Sequence, residues 1–358
     1  MEKMNVKPAT GKLGVLCVGL GAVTSTFMTG VLMARKGLAK PVGSMTQYDK
    51  MRVGRGENKK YLHYGEIVPL ATLDDIVFGA WDVYPANAYE SAVNAEVLQE
   101  KDILPVKEEL EKIVPMKAAF DHNYASRLDG DNVKDCKNRW DMVEQLREDI
   151  RNFKAENNCD RIVVLWAAST EIYVPVEEKV HGTLAALEQA MKEDDKEHIA
   201  PSMCYAYAAL SEGCPFIMGA PNTTVDIPAM WELAEKTKMP IAGKDFKTGQ
   251  TLVKSGFAPI IGTRCLGLSG WCWTNRLTSV LKKSASCLLW SRFLYPKTSL
   301  IYIQIIITKY VSITIPLVMT VRKVGIISIS SDGWATPCRL RLISFAVIQF
   351  WLLLYVWI

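Results

Sequence analysis

The tightest constraint on the fold sits near the start of the chain. Leu13–Val18 is a short apolar run with β-branched residues, and it ends at Gly19-Leu20-Gly21. A helical pattern follows over 23–36, with Gly37 placed to close it. Strand, glycine turn and helix, in that order, open a nucleotide-binding βαβ unit. Small residues let the backbone approach a pyrophosphate, and the helix aims its first N–H groups at the phosphate charge. The competing reading is a tight strand-to-helix turn with no ligand. Thr24 stands where a third glycine is usual. No acid ends a second strand about 20 positions on; the stretch 41–47 reads PVGSMTQ.

Further strands are expected at 76–78, Arg161–Trp166, 217–218 and 240–241. Helices are expected at 88–100, 106–113, 138–155, 182–192, 203–210 and 227–238, the last with Pro228 near its first turn. Strands alternating with helices predict an α/β fold with a largely parallel sheet. The length of 358 residues allows about two domains.

Charge is unevenly spread. Ten of the 42 Lys and Arg residues, but one acid alone (Asp332), fall in 276–358, which leaves 1–275 at a net −5. The body therefore carries no basic stripe for nucleic acid. The nine cysteines include no C-x-x-C pair, and none of the four histidines is spaced to share a zinc site with them. Scattered thiols suit a reducing compartment, and no metal site is expected. No apolar stretch precedes Leu13, so no secretory signal is expected, and the expected location is cytoplasmic.

Three more segments carry chemistry-bearing residues. Asp82 follows Phe78-Gly79-Ala80-Trp81 at a strand end. It suits a ribose or amide contact, or an N-cap for the next helix. Ala167-Ala168-Ser169-Thr170-Glu171 lies beyond another strand end, where open α/β sheets bind ligands; the alternative is a capping box. Gly243-Lys244-Asp245-Phe246-Lys247-Thr248-Gly249 gathers two lysines, an acid and a hydroxyl. Lysine there can neutralise phosphate or polarise a carbonyl, or the segment is a solvated loop.

Taken in order, these segments resemble the myo-inositol-1-phosphate synthase family, in its bacterial-type branch. The resemblance rests on VGLGAVTSTFMTG at 18–30, GSMTQ at 43–47, FGAWDV at 78–83 and AASTE at 167–171. PSMCYAYAALSEGCPFIMGAPN at 201–222, GKDFKTGQT at 243–251 and LGLSGW with TN at 266–275 complete it. The resemblance implies a Rossmann-like NAD-binding domain, into which the family inserts an α+β catalytic and subunit-joining domain. It implies NAD as cofactor, glucose 6-phosphate as substrate, inositol 3-phosphate as product and a homotetramer, with no membrane or nucleic-acid partner. It places Gly19, Leu20, Gly21, Ala22, Val23 and Thr24 at the cofactor pyrophosphate and Asp82 on the adenosine side. Ser169 and Thr170 would lie near the cofactor, and Asp245 and Lys247 at the nicotinamide and substrate. The eukaryotic branch has two acids in place of Lys244-Asp245.

The resemblance stops at Asn275. The family's L-G-N-x-D-G and K-E-(I/V)-S-K segments do not follow; the chain continues RLTSVLKK. Shifting the frame so that each new codon takes one visible codon's third base and the next codon's first two lets TSVLKKSAS at 278–286 read FRSKEISK. The same offset lets 315–354 read as later family sequence. The expectation is a frame slip near codons 275–278. The domains are then 1–260, the NAD-binding domain; 261–275, the start of the catalytic domain; and 276–358, a frameshifted, non-native tail. On that reading the inserted domain is truncated and out of frame and the chain as written is inactive. The alternatives are an inactive NAD-binding remnant and a genuine tail whose apolar 342–358 anchors an NAD-binding protein in a membrane.

Overall fold

Residues 10–243, 245–246, 323–331 and 337–345 are described in the computed structural model. The described residues fall into two units, one reaching to Phe246 and the other holding 323–331 and 337–345. In the first, strand β1 (Leu13–Val18) leads into helix α1 (Ala22–Arg35). A hairpin of β2 (Lys50–Val53) and β3 (Lys60–His63) precedes β4 (Ile76–Asp82). Helix α2 (Ala88–Asn94), the two-residue β5 (Met116–Lys117), α3 (Arg139–Glu156) and β6 (Arg161–Trp166) follow. Then come α4 (Leu184–Lys192), α5 (Pro201–Ser211), β7 (Phe216–Met218), α6 (Pro228–Thr237) and β8 (Ile241–Gly243).

Six strands form one sheet in the order β5-β4-β1-β6-β7-β8, and every neighbouring pair is parallel. The order runs outward from β1 in both directions, which is the doubly wound arrangement of dinucleotide-binding domains. β1 is buried along its whole length, as a central parallel strand covered on both faces must be. Its side chains alternate. Leu13, Val15 and Cys17 pack with Met28 and Leu32 of α1 and with Phe78 and Ala80 of β4. Leu16 and Val18 face the other way, into a cluster with Met142, Val143, Leu146 and Ile150 of α3.

Helix α3 starts where Asn138 accepts the Asp141 N–H at 2.8 Å, a side-chain N-cap. Helix α5 is buried from Pro201 to Leu210, because it is apolar on nearly every face. Its Tyr205 ring packs edge-on against Trp81 at 5.4 Å and against Trp166 at 5.7 Å. The Tyr205 hydroxyl oxygen accepts the Ala119 N–H at 2.8 Å, which satisfies its buried polar end.

Strands and helices fall near their expected places, with three differences. β4 runs on to Asp82, because Trp81 pairs with both Val18 and Met116. The helix expected over 88–100 ends at Asn94; Glu96 turns left-handed at φ 50°, and a separate turn begins at Glu100. The β2–β3 hairpin was not expected. All four β2 residues are exposed, so no buried face imposes the alternation by which a strand is read.

In the second unit, β9 (Lys323–Ser331) and β10 (Pro337–Phe345) pair antiparallel, from Pro337 opposite Ser331 to Phe345 opposite Lys323. No helix among the described residues is long and apolar enough to cross a membrane.

Gly79 sits where β4 meets α3. A Cβ there would lie 2.5 Å from the Phe153 ring and 2.7 Å from Leu16. Gly79→Val should overfill that joint and destabilise the fold by about 1–3 kcal/mol. A lowered urea midpoint at unchanged slope is the expected reading.

Candidate functional site

The carboxyl ends of β4, β1, β6 and β7 are laced together by backbone hydrogen bonds. Gly19 N–H donates to Trp81 O at 2.8 Å, Ala167 N–H to Val18 O at 2.8 Å and Gly219 N–H to Trp166 O at 2.9 Å. The strand order reverses between β1 and β6, and ligands of open α/β sheets bind in the crevice at that switch.

Gly19 has φ 95°, and a Cβ on it would stand 2.7 Å from Ala168 Cα and 2.8 Å from Ala168 N. Both the left-handed backbone and the contact between the two loops therefore exclude a side chain at 19. Gly21 is the N-cap of α1, offers no side-chain cap, and a Cβ there would meet nothing within 4 Å. The first-turn N–H groups of Ala22, Val23 and Thr24 have no intrahelical acceptor, and no acid occupies that turn. Open space in front of uncapped donors at the positive end of a helix is an anion cradle. Thr24 itself turns inward: its side chain is 1% exposed, and its hydroxyl donates to Gly19 O at 2.6 Å. Thr24 thus locks the glycine loop from below, and Leu20 is buried beside it.

Asp82 ends β4, immediately beside β1. One carboxylate oxygen accepts the Leu20 N–H and the other the Tyr84 N–H. It is not the cap of the next helix; Asn87 takes that place, accepting the Glu90 N–H at 3.0 Å. β4 lies where the second strand of a doubly wound sheet belongs, so Asp82 is the strand-end acid that the spacing of about 20 residues failed to find. The hairpin and its flanks have moved it 62 positions from Leu20. Asn132, which sequence reasoning missed, donates from its amide to Asp82 O at 2.9 Å and Met116 O at 3.3 Å. It ties the ends of β4 and β5 with no motif to mark it.

Ser169 and Thr170 are exposed beyond β6, but Glu171 turns into the core. Its carboxylate accepts the Ser202 N–H at 2.9 Å, the Ser202 hydroxyl and the Asn222 amide at 3.0 Å. It caps α5, not a helix of its own, so the capping-box reading misplaced the helix. Burial pushes the Glu171 carboxyl up to about 7, against the opposing pull of the Ser202 hydrogen bonds and Arg139.

Asp245 follows the edge strand β8, two strands beyond β6, with φ 66°. Phe246 N–H donates to Gly219 O at 3.1 Å, which holds this segment against the end of β7. Lys244 and Lys247 lie outside the described residues. The structure thus brings the glycine loop, Asp82 and the 169–170 pair to adjacent strand ends, with Asp245 farther along the same edge. The five described cysteines are free thiols, and among the described residues no cluster of His, Cys, Asp or Glu could hold a metal.

A family model for myo-inositol-1-phosphate synthase, defined on an NAD-binding domain, matches residues 13–348. The chain belongs to the myo-inositol-1-phosphate synthase family. Inositol-3-phosphate synthase 1 of Bacteroides thetaiotaomicron is 59% identical over 276 residues, 77% of this chain and 63% of that protein. The Saccharomyces cerevisiae inositol-3-phosphate synthase is 31% identical over 274 residues, 70% of this chain and 51% of that one. The crystal structure of inositol-3-phosphate synthase from Caenorhabditis elegans superposes with a TM-score of 0.65 at 30% identity, over 72% of this chain and 53% of that one. The chain thus spans roughly half to two thirds of the length of these relatives. NAD is the cofactor of the matched domain, and the residues fit it. The open N-terminus of α1 has the donors a pyrophosphate would need, and the Asp82 carboxylate stands at the neighbouring strand end, where a ribose would fit.

Two outcomes are expected. Gly19→Ala should push the post-β6 loop away from β1 and weaken NAD binding at least about tenfold, measured by calorimetry. The second concerns Glu171, whose native carboxyl holds its proton up to about 7 against an ordinary 4.5. Its stabilising contribution is complete below 4.5 and is lost as pH rises through about 7. Wild type should lose on the order of 3 kcal/mol more stability than E171Q across that window, measured by urea unfolding at stepped pH.

Proposed function

We propose that the in-frame form of this protein is an inositol-3-phosphate synthase. It would convert D-glucose 6-phosphate to 1D-myo-inositol 3-phosphate with NAD, by oxidation, enolisation, aldol cyclisation and reduction. The observation that carries this reading is the 59% identity to the Bacteroides synthase, sustained over 276 residues. Bound NAD supplies a hydride acceptor that returns the hydride at the end, so the cycle is redox-neutral. Gly21, Ala22, Val23 and Thr24 present backbone N–H groups to the pyrophosphate, and Gly19 and Leu20 shape the loop over which it lies. Asp82 fixes the glycine loop through Leu20 and reads the adenosine ribose. Ser169 and Thr170 line the cofactor crevice. Asp245 and Lys247 act at the nicotinamide and substrate, where a cation stabilises developing enolate and alkoxide charge. The working assembly is a homotetramer in the cytoplasm, with no nucleic-acid or membrane partner.

The polypeptide as written is an NAD-binding portion of that enzyme. Two features support this reading. The sharp loss of acids after Asn275 is one, and the single frame offset that regenerates family-like sequence in two separate stretches is the other. The domains are then 1–260 for NAD, 261–275 for the start of the catalytic domain, and 276–358 for the out-of-frame tail.

The deciding experiment is to sequence the cDNA across the codons for Asn275 to Ser286. In-frame L-G-N-x-D-G and K-E-I-S-K segments are expected. A cDNA encoding the tail as written overturns the slip. In a parallel assay the 358-residue chain should bind NAD+ yet form no inositol phosphate. Efficient cyclisation by it would overturn the assignment of inactivity, and net NADH production would overturn the synthase assignment itself.

A further inference from the structure

Glu171 is buried and charged-capable at a place where the proposed cofactor chemistry has no use for it. Its own N–H donates to Asn222 Oδ1 at 3.3 Å, and its carboxylate accepts the Asn222 Nδ2 at 3.0 Å. The two residues therefore grip each other twice, between the loop after β6 and the loop after β7. The same carboxylate accepts the Ser202 N–H and hydroxyl at the first turn of α5, which has no side-chain cap of its own. Ser202 Oγ lies 2.6 Å from Thr224 Oγ1. On the far side, Ile172 N–H donates to Tyr124 O at 2.9 Å. The exposed pair Ser169-Thr170 is thus pinned between Ala167, bonded to Val18 O, and Glu171.

We propose that Glu171 is a positioning residue. Through its reciprocal hydrogen bonds with Asn222 and its cap on α5, it holds Ser169 and Thr170 in register with the glycine loop at the cofactor crevice. The inference rests on the NAD-site reading and gives that site a support that no motif reveals.

The donor and acceptor pattern makes it testable. Glutamine at 171 must turn its amide nitrogen either to Asn222 Nδ2 or to the Ser202 N–H, and in either orientation two donors face each other in a buried site. Asn222 cannot flip to relieve this, because its oxygen already accepts the Glu171 N–H. Aspartate at 222 restores the match: one oxygen keeps the backbone N–H and the other accepts the glutamine amide. Ser202 turns its hydroxyl to Thr224. Charged and titratable groups around Glu171 are Arg139 of α3, Asp121 and Tyr124 of the connecting segment and Cys204 of α5, and none of the four is substituted in the variants.

NAD+ affinity is measured on the full chain for wild type, E171Q and E171Q/N222D, at a temperature where all three are folded by circular dichroism. E171Q should bind about tenfold more weakly, and the double variant should recover most of that loss. Wild-type affinity should also fall between about pH 8 and about pH 6 as the carboxylate takes its proton, whereas E171Q stays flat over that range. Equal affinity in wild type and E171Q, or a double variant as weak as the single, overturns the proposal. If wild type binds no NAD+, the NAD-site reading fails, and amide exchange at Ser169 and Thr170 decides the positioning role by itself. Faster exchange in E171Q that slows again in the double variant supports it, and unchanged exchange overturns it.

Discussion

Strand β1 is paired on both edges and buried on both faces, and the other parts of the sheet take their places from it. Its register with β4 and β6 starts together at Leu13, opposite Ile76 and Arg161, and ends together at Val18, opposite Trp81 and Trp166. Three strands therefore finish at one level, and their loops must cross in a narrow space. Ladder hydrogen bonds leave no slack there, so one of the crossing residues has to lack a side chain. Gly19 against Ala168 is that point. The N-terminus of α1 and the Ser169-Thr170 pair follow adjacent strand ends, and this contact is where their two loops meet.

Much of this was legible in the sequence because burial imposes a pattern. β1, and β6 after Arg161, are apolar without interruption, and their limits are legible to the residue. α3, with its Asn138 cap and its apolar stripe through Met142, Leu146 and Ile150, was read almost as well. The glycine loop and Asp82 are singled out by residue type and place, and the structure sets them at adjacent strand ends. What escaped was set by contacts distant in sequence. Asn132 and Glu171 act through partners in other loops, and nothing near them in the chain announces this. The break at Glu96 lacks a glycine or proline to mark it, since a glutamate there adopts the left-handed conformation. Lys244 and Lys247 were named from sequence and fall outside the described residues.

The polar support of the crevice differs in kind from its apolar frame. Trp81, Tyr205 and Trp166 fill the space beneath the strand ends by edge-on packing, which tolerates small shifts. Glu171, Asn222, Ser202 and Thr224 form a buried group in which each side chain is hydrogen-bonded to another of the four. Such a group is intolerant of displacement, because an unmatched buried donor is costly and a fully matched one fixes a single geometry. Loops that must hold a ligand within tenths of an ångström benefit from the second kind of restraint.

The exposed hairpin between α1 and β4 has a consequence for how the connection between them can change. Its strands pair with each other and with no strand of the main sheet. Stretching the link between glycine loop and strand-end acid from about 20 to about 60 residues adds only about 1 kcal/mol of chain-closure entropy, since that term grows with the logarithm of length. The hairpin's own pairing offsets part of it. The linear distance between Leu20 and Asp82 is therefore nearly free to drift, while the hydrogen bond that joins them is not.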